Sequence, residues 1–264
     1  MLGLNDTWSV QIDDEPGERH RVTPGVRPLS ELTDRAMRLL DRAPAGRRVL
    51  LGIAGAPGAG KTTLATALTA ALAARRAVVA HVPMDGFHLA DAGLDLIGLR
   101  DRKGAPETFD AAGYGALLGR IAAGEAVWVP AFERDLEQPI AQAIRVPADA
   151  RIIVSEGNYL LLPAPEWRAV ASWFDEIWFC QLDDEVRRAC LISRHIQFGK
   201  TPDEARDWVD RLDQANARAV AATAPAADLL IRLPDRDRPE SPASGPRRAG
   251  TSCHLPGIRV LRPV

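Results

Sequence analysis

Eight consecutive residues, Gly55-Ala56-Pro57-Gly58-Ala59-Gly60-Lys61-Thr62, fit the pattern G-x-x-x-x-G-K-[ST] in full. Each residue type has a chemical reason to be there. Glycines let successive backbone N–H groups converge on one anion with no Cβ in the way. A helix opening directly after them adds the positive end of its dipole. The Lys61 ammonium can reach the β- and γ-phosphates of a nucleotide, and the Thr62 hydroxyl can bind Mg²⁺. Thr63 follows in the same first turn and is counted with the nucleotide-contacting segment. The pattern alone arises by chance in Gly/Ala loops, so its surroundings decide. An apolar run from Arg48 to Ala54 precedes it, and Leu64, Leu68 and Leu72 follow at helical spacing. The loop therefore joins a buried strand to a helix, the setting a phosphate-binding loop needs.

The remaining elements alternate in the same way. Leu29 to Ala43 predicts an amphipathic helix stopped by Pro44, and Asp110 to Ala123 a helix with Asp110 as N-cap. Ala77–Val82, Arg151–Glu156, Glu176–Leu182 and Asp228–Leu233 predict strands. Asp184 to Phe198 predicts a helix, and Thr201, Pro202 and Glu204 form a capping box that opens a long helix towards Val220. The strands are apolar throughout rather than alternating, so both sheet faces are covered. The expected fold is α/β, a P-loop NTPase fold with a parallel sheet flanked by helices on both faces. Ligands on such sheets sit at the carboxyl ends of the strands.

Composition sets the outer bounds. The chain has 264 residues, 46% of them hydrophobic, which suffices for one sizeable core. A net charge of −2 gives no drive towards nucleic acid or an anionic membrane. No stretch has the length of a membrane span. Three cysteines without C-x-x-C spacing argue against a disulfide framework, and a reducing cytoplasm is the expected location. Residues 1–28 predict an irregular extension, residues 29–233 the folded domain, and residues 234–264 a Pro/Arg-rich disordered tail in which "GIRVLRPV" could pair as a short strand.

No N-K-x-D guanine motif and no L-S-G-G-Q transporter signature is present, and the D-x-x-G match at Asp101–Gly104 lies in a charged loop. That leaves small-molecule and nucleotide kinases. Five further segments then carry a resemblance. "VPMDGFHLAD" at the end of the second strand resembles the pantothenate kinase and uridine kinase branch of P-loop kinases. "GLRDRKGAPETFD", "VWVPAFERDLEQP", "IIVSEGNYLL" and "LISRHIQFGKTPDEARDWV" are similar, in family order, to the loop after the aspartate, the substrate segment, the strand ending in Glu-Gly and the lid-arginine helix. Within this group the chain most resembles the branch labelled nucleoside/nucleotide kinase-like or fructose-uptake-associated kinase. The match runs from about Val49 to Ala219. The resemblance implies a helical lid, ATP and Mg²⁺ as cofactors, and a small-molecule acceptor as partner, with a homodimer as a further expectation.

The resemblance also implies roles. Asp85 would be the base that takes a proton from the acceptor hydroxyl. Alternatives are a water held on Mg²⁺ or a turn-forming Asp before Gly. Glu156 would join Thr62 in the metal shell. Arg194 would contact the ATP phosphates from the lid. Its neighbours Arg187, Arg188 and His195 read equally well as a solvated face. His88, Arg100, Lys103, Phe132 and Arg134 are acceptor-site candidates by segment match, and Asn216 falls near the adenine side. Phe132 stands where the pantothenate type has Tyr, which makes a sugar or nucleoside the expected acceptor. A nucleoside monophosphate, met by Arg100, Lys103 and Arg134, and a regulatory or chaperone-like ATPase are the rivals.

Overall fold

The computed structural model describes residues 11–13 and 29–233. In chain order its elements are β1 (Gln11–Asp13), α1 (Leu29–Arg42), β2 (Val49–Ala54), α2 (Lys61–Ala74), β3 (Val79–Pro83), α3 (Asp91–Ile97), α4 (Ala111–Ala122), β4 (Val127–Glu133), β5 (Gln138–Val146), β6 (Ile152–Gly157), α5 (Pro165–Ala171), β7 (Glu176–Gln181), α6 (Asp184–Gln197), α7 (Pro202–Trp208), α8 (Gln214–Ala221) and β8 (Leu229–Arg232). A π turn at Val209–Asp213 joins α7 and α8, so the long helix predicted from the capping box is continuous but carries one widened turn. Thr201 and Glu204 form that box, with Pro202 at the first helical position.

The main sheet runs β1-β8-β7-β2-β6-β3, and β2, β3, β6, β7 and β8 are parallel. Gln11–Asp13, inside the stretch read as irregular, pairs antiparallel with β8 at the edge. Every residue of β2 and β6 is buried because both strands are central and covered on both faces. The two faces are visible along β2. Val49, Leu51 and Ile53 pack with Leu64, Leu68 and Leu72 of α2, whereas Leu50 and Ala54 pack with Val82, Tyr114, Leu118 and Trp167. That is the period of two expected of a strand, and each such Leu or Ile contributes about 1.5–3 kcal/mol by leaving water. The β4–β5 hairpin forms a separate two-stranded sheet, to which the sequence analysis assigns no strands. The tail expectations for residues 234–264 lie outside the described residues.

Arg48 fastens this layout. It is 3% exposed, and its guanidinium donates to the carbonyls of Ile121, Gly124, Glu125, Pro147 and Ala148 at 2.8–3.1 Å. It therefore closes the end of α4 and the β5–β6 turn together. Arg48→Met will leave these carbonyls without their donor and destabilise the fold by about 3 kcal/mol, read as a lower denaturant midpoint at unchanged slope.

Candidate active site

The phosphate loop leaves β2 at Gly55, whose φ is 149°, and turns through Gly58 at φ 78°. A Cβ on Gly55 would stand 2.4 Å from the Cys180 carbonyl oxygen of β7, and one on Gly58 2.7 Å from Leu191 Cγ of α6. Backbone conformation and contact both require glycine there. Ala56 and Ala59 are buried in a small cluster with Ala217 of α8. Their methyl groups therefore support the loop from beneath, and with Gly55 they do not line the cavity; only their backbone can serve a ligand. Pro57, Gly58, Gly60, Lys61, Thr62 and Thr63 do line it.

Lys61 is 7% exposed, and its Nζ donates to the Ala56 carbonyl at 2.9 Å and to Asn158 Oδ1 at 2.6 Å. Burial lowers its pKa, opposed by the charges of Glu156 and Asp85. The Thr62 hydroxyl donates to Glu156 Oε1 at 3.1 Å. Glu156 is 2% exposed at the carboxyl end of β6. Burial first, and then repulsion from Asp85, pushes its carboxyl up to about 7. Such a group is stabilised as carboxylate by a nearby cation. Among the described residues no three His, Cys, Asp or Glu side chains gather into a metal cage. Thr62 and Glu156 instead fit the Mg²⁺ pattern, in which one or two protein oxygens share the ion with substrate phosphates.

Asp85 lies in a 3₁₀ turn at Met84–Phe87, just past the carboxyl end of β3, where Pro83 pairs in register with Glu156. A Cβ on Gly86 would meet the Pro130 carbonyl oxygen at 2.2 Å, so this turn is pressed directly onto β4. Asp85 Oδ2 accepts from Arg134 Nη2 at 3.1 Å. Burial acts to raise the Asp85 pKa, yet the positive field of His88, Arg134, Lys61 and Arg194 holds it below the usual carboxylate range. His88 has Nδ1 2.8 Å from the Asp85 carbonyl and makes tilted ring contacts with Phe109, centroids 3.9 Å apart, and Phe132, 4.7 Å apart. Lys103 Nζ and Arg134 Cζ stand 5.5 and 5.9 Å from the Phe132 ring centre, within cation–π range.

Arg100 and Lys103 converge on Asp91, at 2.8 and 2.6 Å, and Arg100 also bonds Asp95. Asp91 was not singled out from sequence. Neither was Asn158, although its place two residues past Glu156 was a usable signal. Arg194 lines the cavity from α6, where burial lowers its pKa and the charges of Arg134, Asp85 and Asp213 act on it. One expectation is corrected. Arg187 is 2% exposed, not part of a solvated face, whereas Arg188 is partly exposed and pairs with Asp210. Asn216 donates to the Gly104 carbonyl at 3.3 Å, on the loop after Asp85. His195 is paired with Asp213 at 2.9 Å.

One cavity of about 690 Å³ connects these groups, from Gly60, Lys61 and Thr62 past Asp85 to Phe132 and Arg134. Its phosphate-binding end and its Asp85 end are continuous, so two ligands can meet inside it.

Comparison with known proteins adds three kinds of likeness. Residues 26–103 match the family described as methylmalonyl Co-A mutase-associated GTPase MeaB, a stretch holding α1 to α3 and the phosphate loop. The chain is 34% identical over 194 residues to "Uncharacterized protein YggC" of Escherichia coli K12, covering 73% of this chain and 81% of that one. It is 33% identical over 219 residues to the candidate uridine kinase C227.14 of Schizosaccharomyces pombe, covering 79% and 92%. A crystal structure of a candidate fructose transport system kinase from Silicibacter sp. TM1040 superposes with a TM-score of 0.71 at 38% identity, covering 78% of this chain and 98% of that one.

Proposed function

The chain belongs to the P-loop kinases related to uridine kinase, and from that premise we propose that it transfers the γ-phosphate of ATP to a hydroxyl of a small sugar or nucleoside. The observation that carries this reading is the single cavity with the Lys61–Thr62 cradle at one end and a half-buried, ionised Asp85 at the other.

The chain's own groups divide the work. The loop N–H groups and Lys61 hold the phosphates, and Arg194 adds positive charge from the lid side. Asp85 accepts the proton of the acceptor hydroxyl. Its low basicity suffices because phosphoryl transfer has a loose transition state in which proton removal comes late. Mg²⁺ held by Thr62, Glu156 and the phosphates would supply further neutralisation of charge. His88, Phe132 and Arg134 orient the acceptor. Positioning both substrates in one cavity supplies a large share of the acceleration.

The cations at the acceptor end already have anionic partners. Arg100 and Lys103 are held by Asp91, and Arg134 by Asp85. This balance favours a neutral polyhydroxy acceptor over a nucleoside monophosphate, whose phosphate would have to displace those carboxylates. The MeaB match motivates a GTPase as the second reading. Against it, Asp101 of the D-x-x-G match is exposed in a 3₁₀ turn, away from any strand end. We place the reaction in the cytoplasm; no helix among the described residues is long and apolar enough to cross a membrane.

The test is nucleotide consumption with ATP or GTP across sugars, nucleosides, nucleoside monophosphates and pantothenate. The proposal expects ATP turnover that rises at least tenfold with one neutral acceptor. Equal turnover without any acceptor, or preference for GTP, would contradict it.

A further inference from the structure

Arg187 has no part in the reading above, yet it is among the most buried charges in the protein, at 2% exposure. It sits in the first turn of α6. Its Nε and Nη2 donate to Asp184 Oδ1 at 3.0 and 2.6 Å, and Nη2 also donates to Gln214 Oε1 of α8. Gln214 Nε2 in turn donates to Asp184 Oδ2 at 3.1 Å. The remaining arm, Nη1, donates to the Pro57 carbonyl at 3.1 Å. A guanidinium locked on three sides thus grips one peptide group of the phosphate loop.

That peptide is the one between Pro57 and Gly58. It is trans, as are all the described peptide bonds. In a planar trans peptide the carbonyl oxygen and the following N–H point in opposite directions. Drawing the Pro57 oxygen towards α6 therefore turns the Gly58 N–H the other way. Gly58 lines the cavity, and its Cα faces α6 so closely that a Cβ would lie 3.1 Å from the Arg187 carbonyl oxygen. Burying a guanidinium is costly even when a carboxylate such as Asp184 pairs with it, and removing the charge in favour of an apolar side chain is often no less stable. Orientation is what the apolar side chain would lack.

We propose that Arg187 is a positioning residue that aims the Gly58 N–H at the nucleotide phosphates, with Asp184 and Gln214 holding its guanidinium in place. The inference rests on the nucleotide-binding reading of the loop. It makes the entry of α6 and the start of α8 part of the phosphate site, although neither Asp184 nor Gln214 reaches the cavity.

The test measures MgATP affinity by calorimetry, without acceptor, well below the melting temperature. It is paired with the amide signal of Gly58 in protein labelled with ¹⁵N-glycine. Wild type should bind MgATP and move the Gly58 amide signal downfield. Arg187→Met should bind at least about tenfold more weakly, the effect of one hydrogen bond involving a charged group, and lose the downfield shift. Arg188→Met, which removes the neighbouring pair with Asp210, should bind within twofold of wild type and keep it. Gln214→Leu leaves Arg187 in place but frees one arm, and should weaken binding about threefold; it carries the test if Arg187→Met does not fold. A folded Arg187→Met or Gln214→Leu protein that binds MgATP as wild type does, with the Gly58 shift intact, overturns the proposal. Failure of wild type itself to bind MgATP would instead refute the nucleotide-site reading.

Discussion

Replacing Lys61 by alanine will lower kcat by about 10³-fold or more and weaken MgATP binding, with little change in melting temperature. The size follows from what the side chain alone provides. Removing one preorganised donor to a developing negative charge costs about 10²–10³-fold, and Lys61 carries a full positive charge inside a buried cradle, 7% exposed. Its Nζ is held in place by the Ala56 carbonyl and Asn158. Lys61 is the lysine that the loop itself supplies, and the arginine Arg194 comes from a different element. Turnover of Lys61→Ala within a few-fold of wild type, in a protein that melts normally, would rule out the loop as the reacting site.

Asp85→Asn should lower kcat by about 10²–10⁴-fold, the range for loss of a general base. The amide keeps the size and can still face Arg134, but it cannot accept a proton. MgATP affinity measured without acceptor should change little, because Lys61, Thr62 and the loop are untouched. A metal-holding role gives a different signature: the variant would need far more Mg²⁺ and recover part of its activity at high concentration. A kcat series across Mg²⁺ concentration separates the two. Near-normal kcat at ordinary Mg²⁺ would reduce Asp85 to a turn-forming residue before Gly86.

The parts legible in the sequence are those where local chemistry and fold agree. The helix that Leu64, Leu68 and Leu72 predict after the loop is Lys61–Ala74 in the structure, because glycines fix its start and leucines at helical spacing fix its buried face. The parallel strands lie within two residues of their predicted limits, since continuous apolar runs have few other uses. The β4–β5 hairpin was illegible for opposite reasons. Its register shifts between Val129 and Ala131, Gln142 has a φ of 56°, and much of β5 is exposed, so no alternating pattern survives. Yet this hairpin delivers Phe132 from β4 and Arg134 from the turn joining β4 to β5, so resemblance located residues that periodicity could not. Arg187 and Arg188 show a further limit. Adjacent helix positions point about 100° apart, so one arginine enters the interior and its neighbour meets solvent. Two identical letters give no hint which is which until α8 is packed against α6.

The central claim is that the cavity joins ATP to an acceptor hydroxyl. The most direct measurement uses ATP labelled with ¹⁸O in the γ-phosphoryl group, incubated with enzyme and the acceptor panel and read by mass spectrometry. The account predicts that the labelled phosphoryl group appears intact on one neutral sugar or nucleoside, and that this product is lost in Asp85→Asn. Label found only in inorganic phosphate, at a rate unaffected by every acceptor, would contradict it.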